Sequence, residues 1–233
     1  EGRRKRGAQI VPSFTGIFVG CNKGFDAVNA MRMGSGDPIF DVASWKVAMT
    51  EGGKTELHEA VCGADDASKQ FHLPRDASYL HPNLATIHRM YCIEPMPSTA
   101  HALTRSAYEL GLDSMGFAVV HTAIAKSDGD TVQFPNLDKV GVENQGMGNC
   151  GSGNSNTGCV NVTIQSLDSF VKKYIDEREG GQQIIDYLSI DVEGYDFDVL
   201  LGGQQIALPR VRYLEFEYNW MGAWSRQKLE DAV

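Results

Sequence analysis

The stretch IFVGCNKG at residues 17–24 decides how the chain folds. Ile17 to Val19 form a short unbroken apolar run, and Gly20, Asn22 and Gly24 follow it at two-residue steps. An unbroken run, as opposed to an alternating one, marks a strand covered on both faces. The next residues, FDAVNAMRM, carry Phe25, Val28 and Met31 at three-residue steps, which suits one face of a helix. Strand, glycine turn and helix together make a βα unit. The glycines leave two readings open, a tight turn or a cradle for a small-molecule cofactor.

The same order recurs downstream. MYCIEP supplies a second strand around Tyr91–Ile93, and PSTAHALTRSAYELG follows with Ala100, Leu103, Ala107 and Leu110 at helical spacing. Pro97 suits the first turn of that helix and Gly111 its C-terminal cap. GFAVVH and DYLSID read as a third and a fourth strand, RVRYLEFE as a fifth. Between them SLDSFVKKYI predicts a helix with Ser166 as cap, and YDFDVLLGG a short helix ending at Gly202 and Gly203. Strands alternating with helices of this length predict an α/β fold: one domain over residues 1–233, with an open, mostly parallel sheet and helices on both faces.

Two segments interrupt the alternation. Residues 34–88, with helix-like FDVASWKVAM at their start, read as an insertion near the rim. Residues 141–158, rich in glycine and asparagine, read as a flexible loop with little to bury. The chain breaks off inside helix-like WSRQKLEDAV and lacks an initiating Met, as expected of a segment of a longer protein.

Composition narrows the function. With 42% apolar residues in a chain of 233, a sizeable core is expected, and the net charge of −9 argues against a nucleic-acid groove. The only basic run, Arg3 to Arg6, reads as a solvated end, and no apolar stretch is long enough for a membrane span. Five cysteines without a CxxC pair indicate neither a zinc ribbon nor a disulfide scaffold; only Cys150 and Cys159 look pairable. Asn161-Val162-Thr163 is a glycosylation triplet that matters only if the chain is secreted, and the compartment stays open. His58 and Cys62 stand at helical spacing, and a structural role is expected for them.

In open parallel sheets ligands bind beyond the carboxyl ends of the strands, where the strand order reverses. Polar residues fall at that rim after all five strands: Gly20, Asn22 and Gly24, then Glu94, then His121, then Asp191 and Glu193, then Glu215 and Glu217. Gly20 and Gly24 would allow close backbone approach, and the two oxygens of Glu94 could accept both hydroxyls of a ribose. The register GxNxG departs from the GxGxxG of dinucleotide folds. A mononucleoside carrying an amino-acid end, such as S-adenosylmethionine, fits it better.

In this order FVGCNKG, IEP, TAIAKSDGDTVQF, VTIQSLDSF, YLSIDVEGYDFDVLLGG and RYLEFE resemble the FkbM-type family of S-adenosylmethionine-dependent methyltransferases, over residues 16–30 and 91–219. IDVEGYDFDVLLGG is the most specific part. The resemblance implies the class I methyltransferase sheet, which is Rossmann-like, and O-methylation of a hydroxyl on a sugar or other natural product, with a small molecule or glycan as acceptor. It also implies that Gly20, Asn22 and Gly24 meet the methionine end of the cofactor, that Glu94 takes its ribose, and that Ala123 and Ile124 flank the adenine. Asp191 and Glu193 would face the reaction centre. Two positions depart from the family, which has an acidic residue in place of Phe18 and a lysine in place of Ser189, as does the long interval from Gly24 to Glu94.

A hydroxyl acceptor needs a base, and the order of candidates is Asp191, Glu193, His121, with Asp191 expected to be partly buried and its pKa raised by desolvation. The alternative for Asp191 is a capping role before the helix that follows. Two other functions compete: a metal-dependent sugar-nucleotide transferase holding a divalent cation on Asp191, Glu193 and Asp196, and a non-catalytic methyltransferase-like binding domain. The first leaves the glycine turn and Glu94 unexplained; the second rests on Phe18.

Overall fold

Strand β1, Thr15–Val19, is buried at every position and lies at the centre of the main sheet. The computed structural model describes residues 14–51, 88–135, 139–142, 158–179, 181–218 and 222–232. β1 leads through the turn at 20–24 into α1, Phe25–Ser35, whose Ala27, Val28, Ala30 and Met31 are buried. Then come α2, Val42–Met49, β2, Arg89–Ile93, and α3, Pro97–Glu109, with its proline in the first turn. β3, Phe117–Val120, completes the first half.

The second half opens with β4, Ala123–Ala125, β5, Thr131–Pro135, and β6, Cys159–Ser166. Helix α4, Leu167–Val171, is capped by Ser166, whose side chain accepts from the Ser169 amide, and continues through a π-helical turn at Lys172–Asp176. β7, Tyr187–Ile190, α5, Asp196–Gly202, and β8, Leu214–Phe216, close the fold.

The main sheet has the order β3-β2-β1-β7-β8 and is parallel throughout. All five strands expected from the sequence are in it. The order reverses between β1 and β7, which puts the crevice of such a fold beside Gly20 and Asp191. A second sheet, β4-β6-β5, pairs β4 with β6 in parallel and β5 with β6 antiparallel.

Two expectations are corrected. The start of the supposed rim insertion belongs to the core: Phe40, Trp45 and Met49 are at most 1% exposed, and the Trp45 indole donates to the Lys23 carbonyl at 2.8 Å. α2 therefore braces the turn after β1 from behind. Secondly, Cys21 and Cys92 form a disulfide, with Cα atoms 5.3 Å apart and a sequence separation of 71. The cause is strand register. Phe18 lies beside Cys92, and the turn after β1 folds over the end of β2, where the Gly20 and Cys21 amides both donate to the Ile93 carbonyl. Cys159 is disulfide-bonded too, while Cys150 lies outside the described residues. So do Arg3 to Arg6, His58, Cys62 and nearly all of the 141–158 loop. Among the described residues no helix is long and apolar enough to cross a membrane.

Candidate active site

At the carboxyl ends of β1, β2 and β7 lies an open cleft, about 690 Å³ with its solvent-filled mouth included. Gly20, Asn22, Glu94, Ala123, Ile124, Asp191 and Glu193 line it. Those residues come from four separate strand ends. Only the sheet topology brings them together.

Glu94 follows directly on β2 and is 5% exposed. The Asn22 amide donates to its Oε2 and the Met96 amide to its Oε1, each at 2.8 Å. Burial pushes its carboxyl up to about 7, against the lowering pull of those two amides. Each oxygen carries a second acceptor direction, so a carboxylate fixed this way can take two further donors from the cleft.

The turn after β1 is shaped by close approaches. Gly20 has φ 83°, and a Cβ there would collide with the Asp191 carbonyl. The glycine lets the ends of β1 and β7 meet, with the Asp191 amide donating to the Val19 carbonyl at 2.9 Å. Asn22, at φ 46°, occupies the left-handed region that asparagine tolerates, and this turns its amide toward Glu94. Gly24 serves another purpose. A Cβ there would lie 2.8 Å from Leu103 and 3.1 Å from Trp45, so it admits α2 and α3 against the start of α1 and does not line the cleft.

Asp191 and Glu193 reach the cleft along the loop after β7, where Glu193 has φ 53°. Asp191 is exposed, contrary to the partial burial expected of it. The loop runs on for several residues before α5 begins at Asp196, so Asp191 is not packed beneath that helix. Nor is it a helix cap, because Tyr195 occupies that position without a side-chain bond. The buried carboxylate of this segment is Asp196, fully enclosed, accepting from the Glu217 amide at 3.3 Å and raised to about 6 by burial. It faces inward, and among the described residues no group of three His, Cys, Asp or Glu side chains is placed to hold a metal. The cation reading of Asp191, Glu193 and Asp196 therefore lacks its donor set.

The structure does not bring His121 into the cleft. Its ring is exposed, with Nε2 3.0 Å from the Pro95 carbonyl, an acceptor that requires the proton on that nitrogen. Glu215 and Glu217 also lie elsewhere. Glu215 accepts from the Ser189 hydroxyl at 3.1 Å, and the Glu217 backbone ties to Ile190 and Asp196. Phe18 and Ser189, the two departures from the family pattern, face each other in the register of β1 and β7. Phe18 packs on Tyr187 at 5.2 Å between ring centroids, in the core beneath α1. Neither residue lines the cleft. With a phenylalanine facing a serine, this strand pair buries no charge at that register position.

The remaining wall was not foreseen. Phe134, Thr122, Thr99 and Val142 line it, Phe134 from β5, a strand with no clear sequence signal of its own. The residues TVQF do alternate, which is the one hint available.

A parallel five-stranded sheet covered by helices, with its cleft at the strand-order reversal, defines an α/β domain of the Rossmann-like methyltransferase kind. The chain belongs to the FkbM methyltransferase family: the sequence model of the methyltransferase FkbM domain matches residues 62–229, more than half of the chain. That match runs from ahead of β2 to beyond β8; β1 and its glycine turn precede it and join it through their pairing with β2 and β7. Comparison with curated proteins and with solved structures found no match.

Proposed function

We propose that this methyltransferase uses S-adenosylmethionine bound in the cleft and methylates a hydroxyl of a sugar or other natural product. The observation that carries the cofactor reading is Glu94: a buried carboxylate with both oxygens aligned by backbone amides and acceptor capacity left for a ribose diol. Ala123, Ile124 and Phe134 offer an apolar wall suited to a purine, and the left-handed turn at Gly20 and Asn22 leaves room for the amino-acid end. These residues fit the cofactor.

Bound there, S-adenosylmethionine would supply an activated methyl group on a sulfonium. The chain's own contribution is alignment, which can account for about 7–11 kcal/mol of barrier when two reactants are held together. Asp191, at the cleft mouth, takes the hydroxyl proton, with Glu193 as second candidate. Its exposure is compatible with this role, since a bound acceptor would cover it. Phe18, on which the non-catalytic reading rests, packs in the core and is not part of the cleft lining.

A transfer screen with tritiated methyl donor against a cell extract identifies the acceptor. On that acceptor, Asp191→Asn lowers kcat far more than it raises the cofactor Kd. An unchanged kcat removes Asp191 from the base role.

A further inference from the structure

The triplet Asn161-Val162-Thr163 is the one Asn-X-Ser/Thr sequence with X other than proline in the chain, and the structure puts it in β6. Along that strand Val162 is buried with Phe134, Ala123 and Met96, whereas Asn161 and Thr163 are exposed on the opposite face. Their cross-strand partners are small or polar: Asn161 pairs with Gln133 and Thr163 with Thr131, both exposed. This face turns away from the cleft, whose wall Phe134 forms from the other side. A bulky group on Asn161 would extend into solvent without touching the core.

The disulfides supply the second observation. Cys21 is 8% exposed and Cys92 is fully buried, so their bond is shielded from thiol exchange in the folded chain. A shielded cystine is a structural one, unlike the accessible, transient disulfides of reducing compartments. Cys159, two residues before Asn161, is also disulfide-bonded. Oxidative folding and sequon glycosylation take place in the same compartment of a secretory pathway.

We infer that Asn161 is an N-glycosylation site and that the chain matures in an oxidising secretory compartment. The Asn161 amide nitrogen forms a bond to the anomeric carbon of an oligosaccharide carried on a polyprenyl pyrophosphate. The pyrophosphate carrier leaves and the amide gives up one proton. Transfer takes place on the unfolded chain, and the folded strand then presents the glycan outward. The inference stands apart from the cofactor reading, because it uses neither Glu94 nor the cleft.

The test is expression of the full chain behind a secretory leader in a eukaryotic host, followed by digestion with peptide N-glycosidase and peptide mass analysis. The expected result is a single discrete mobility shift on digestion, with Asn161 converted to aspartate. Asn161→Gln and Thr163→Ala lose the shift, and Thr163→Ser keeps it. Secreted chain with the Cys21–Cys92 bond formed but with Asn161 unmodified overturns the inference, as does a shift that persists in Asn161→Gln.

Discussion

Glu94 offers the sharpest perturbation, because a glutamine cannot serve both of its backbone partners. In Glu94→Gln one of the Asn22 and Met96 amides keeps an acceptor and the other faces an NH2 group. A buried donor left unpaired costs about 1–3 kcal/mol of stability. The change also removes one of two charge-assisted acceptors for a ribose diol, about 1.5–3 kcal/mol, which raises the Kd of S-adenosylhomocysteine roughly 10- to 100-fold. Acidity gives an independent handle. Unliganded Glu94 titrates at about 7, whereas a carboxylate accepting two hydroxyls must be ionised. Wild-type affinity therefore weakens about tenfold for each pH unit below that value and levels off above it, while the glutamine variant shows no such slope. Unliganded stability moves the other way. With the carboxyl raised from 4.5 to about 7, the folded chain keeps a proton that the unfolded chain has lost between those values. The stabilising contribution is full below the lower value and is lost as pH rises through the upper one, by about 3 kcal/mol. Calorimetric titration with S-adenosylhomocysteine from about pH 5.5 to 8.5, with chemical unfolding of the unliganded protein alongside, reads both effects. Wild-type affinity that is flat over that range, or a glutamine variant that binds like wild type, refutes the reasoning.

Three further outcomes follow from packing. Gly24→Ala places a methyl 2.8 Å from Leu103 at φ 74°, and the left-handed backbone alone costs about 1–2 kcal/mol. Urea unfolding should show at least that loss with cofactor affinity of the folded protein retained; weakened affinity at unchanged stability would return Gly24 to the cofactor site. Replacing Cys21 and Cys92 by serine opens a loop of 71-residue separation and should lower stability by about 4 kcal/mol. An unchanged denaturation midpoint contradicts that. Phe18→Asp buries a lone carboxylate and should cost about 3–5 kcal/mol, much of it recovered by adding Ser189→Lys across the strand pair. A double variant no more stable than Phe18→Asp alone would show that the two positions are uncoupled.

The main sheet is legible because its inner strands β1, β2 and β7 are largely buried and leave continuous apolar runs such as Ile17–Val19 and Tyr91–Ile93. The smaller sheet is not. β6 has one face in solvent, so Asn161 and Thr163 interrupt its apolar positions, and it follows a glycine-rich stretch that masks its start. Strand-end position points to Glu94, which lines the cleft, but position says nothing about where a side chain turns. His121 ends a strand yet engages the Pro95 carbonyl, and of two glycines in one turn Gly20 meets the cleft while Gly24 admits neighbouring helices. The Cys21–Cys92 pair depends on register between strands far apart in sequence, which spacing does not encode. Asp191 and Asp196 exchange the burial expected of the first for the second because the helix begins only after Tyr195.

The most direct test of the account is calorimetric titration of the whole chain, in EDTA, with S-adenosylmethionine and with S-adenosylhomocysteine. Both bind one-to-one, and binding is greatly weakened in Glu94→Ala. Folded protein that binds neither, or that gives heat only with a sugar nucleotide and Mn²⁺, would contradict the cofactor reading.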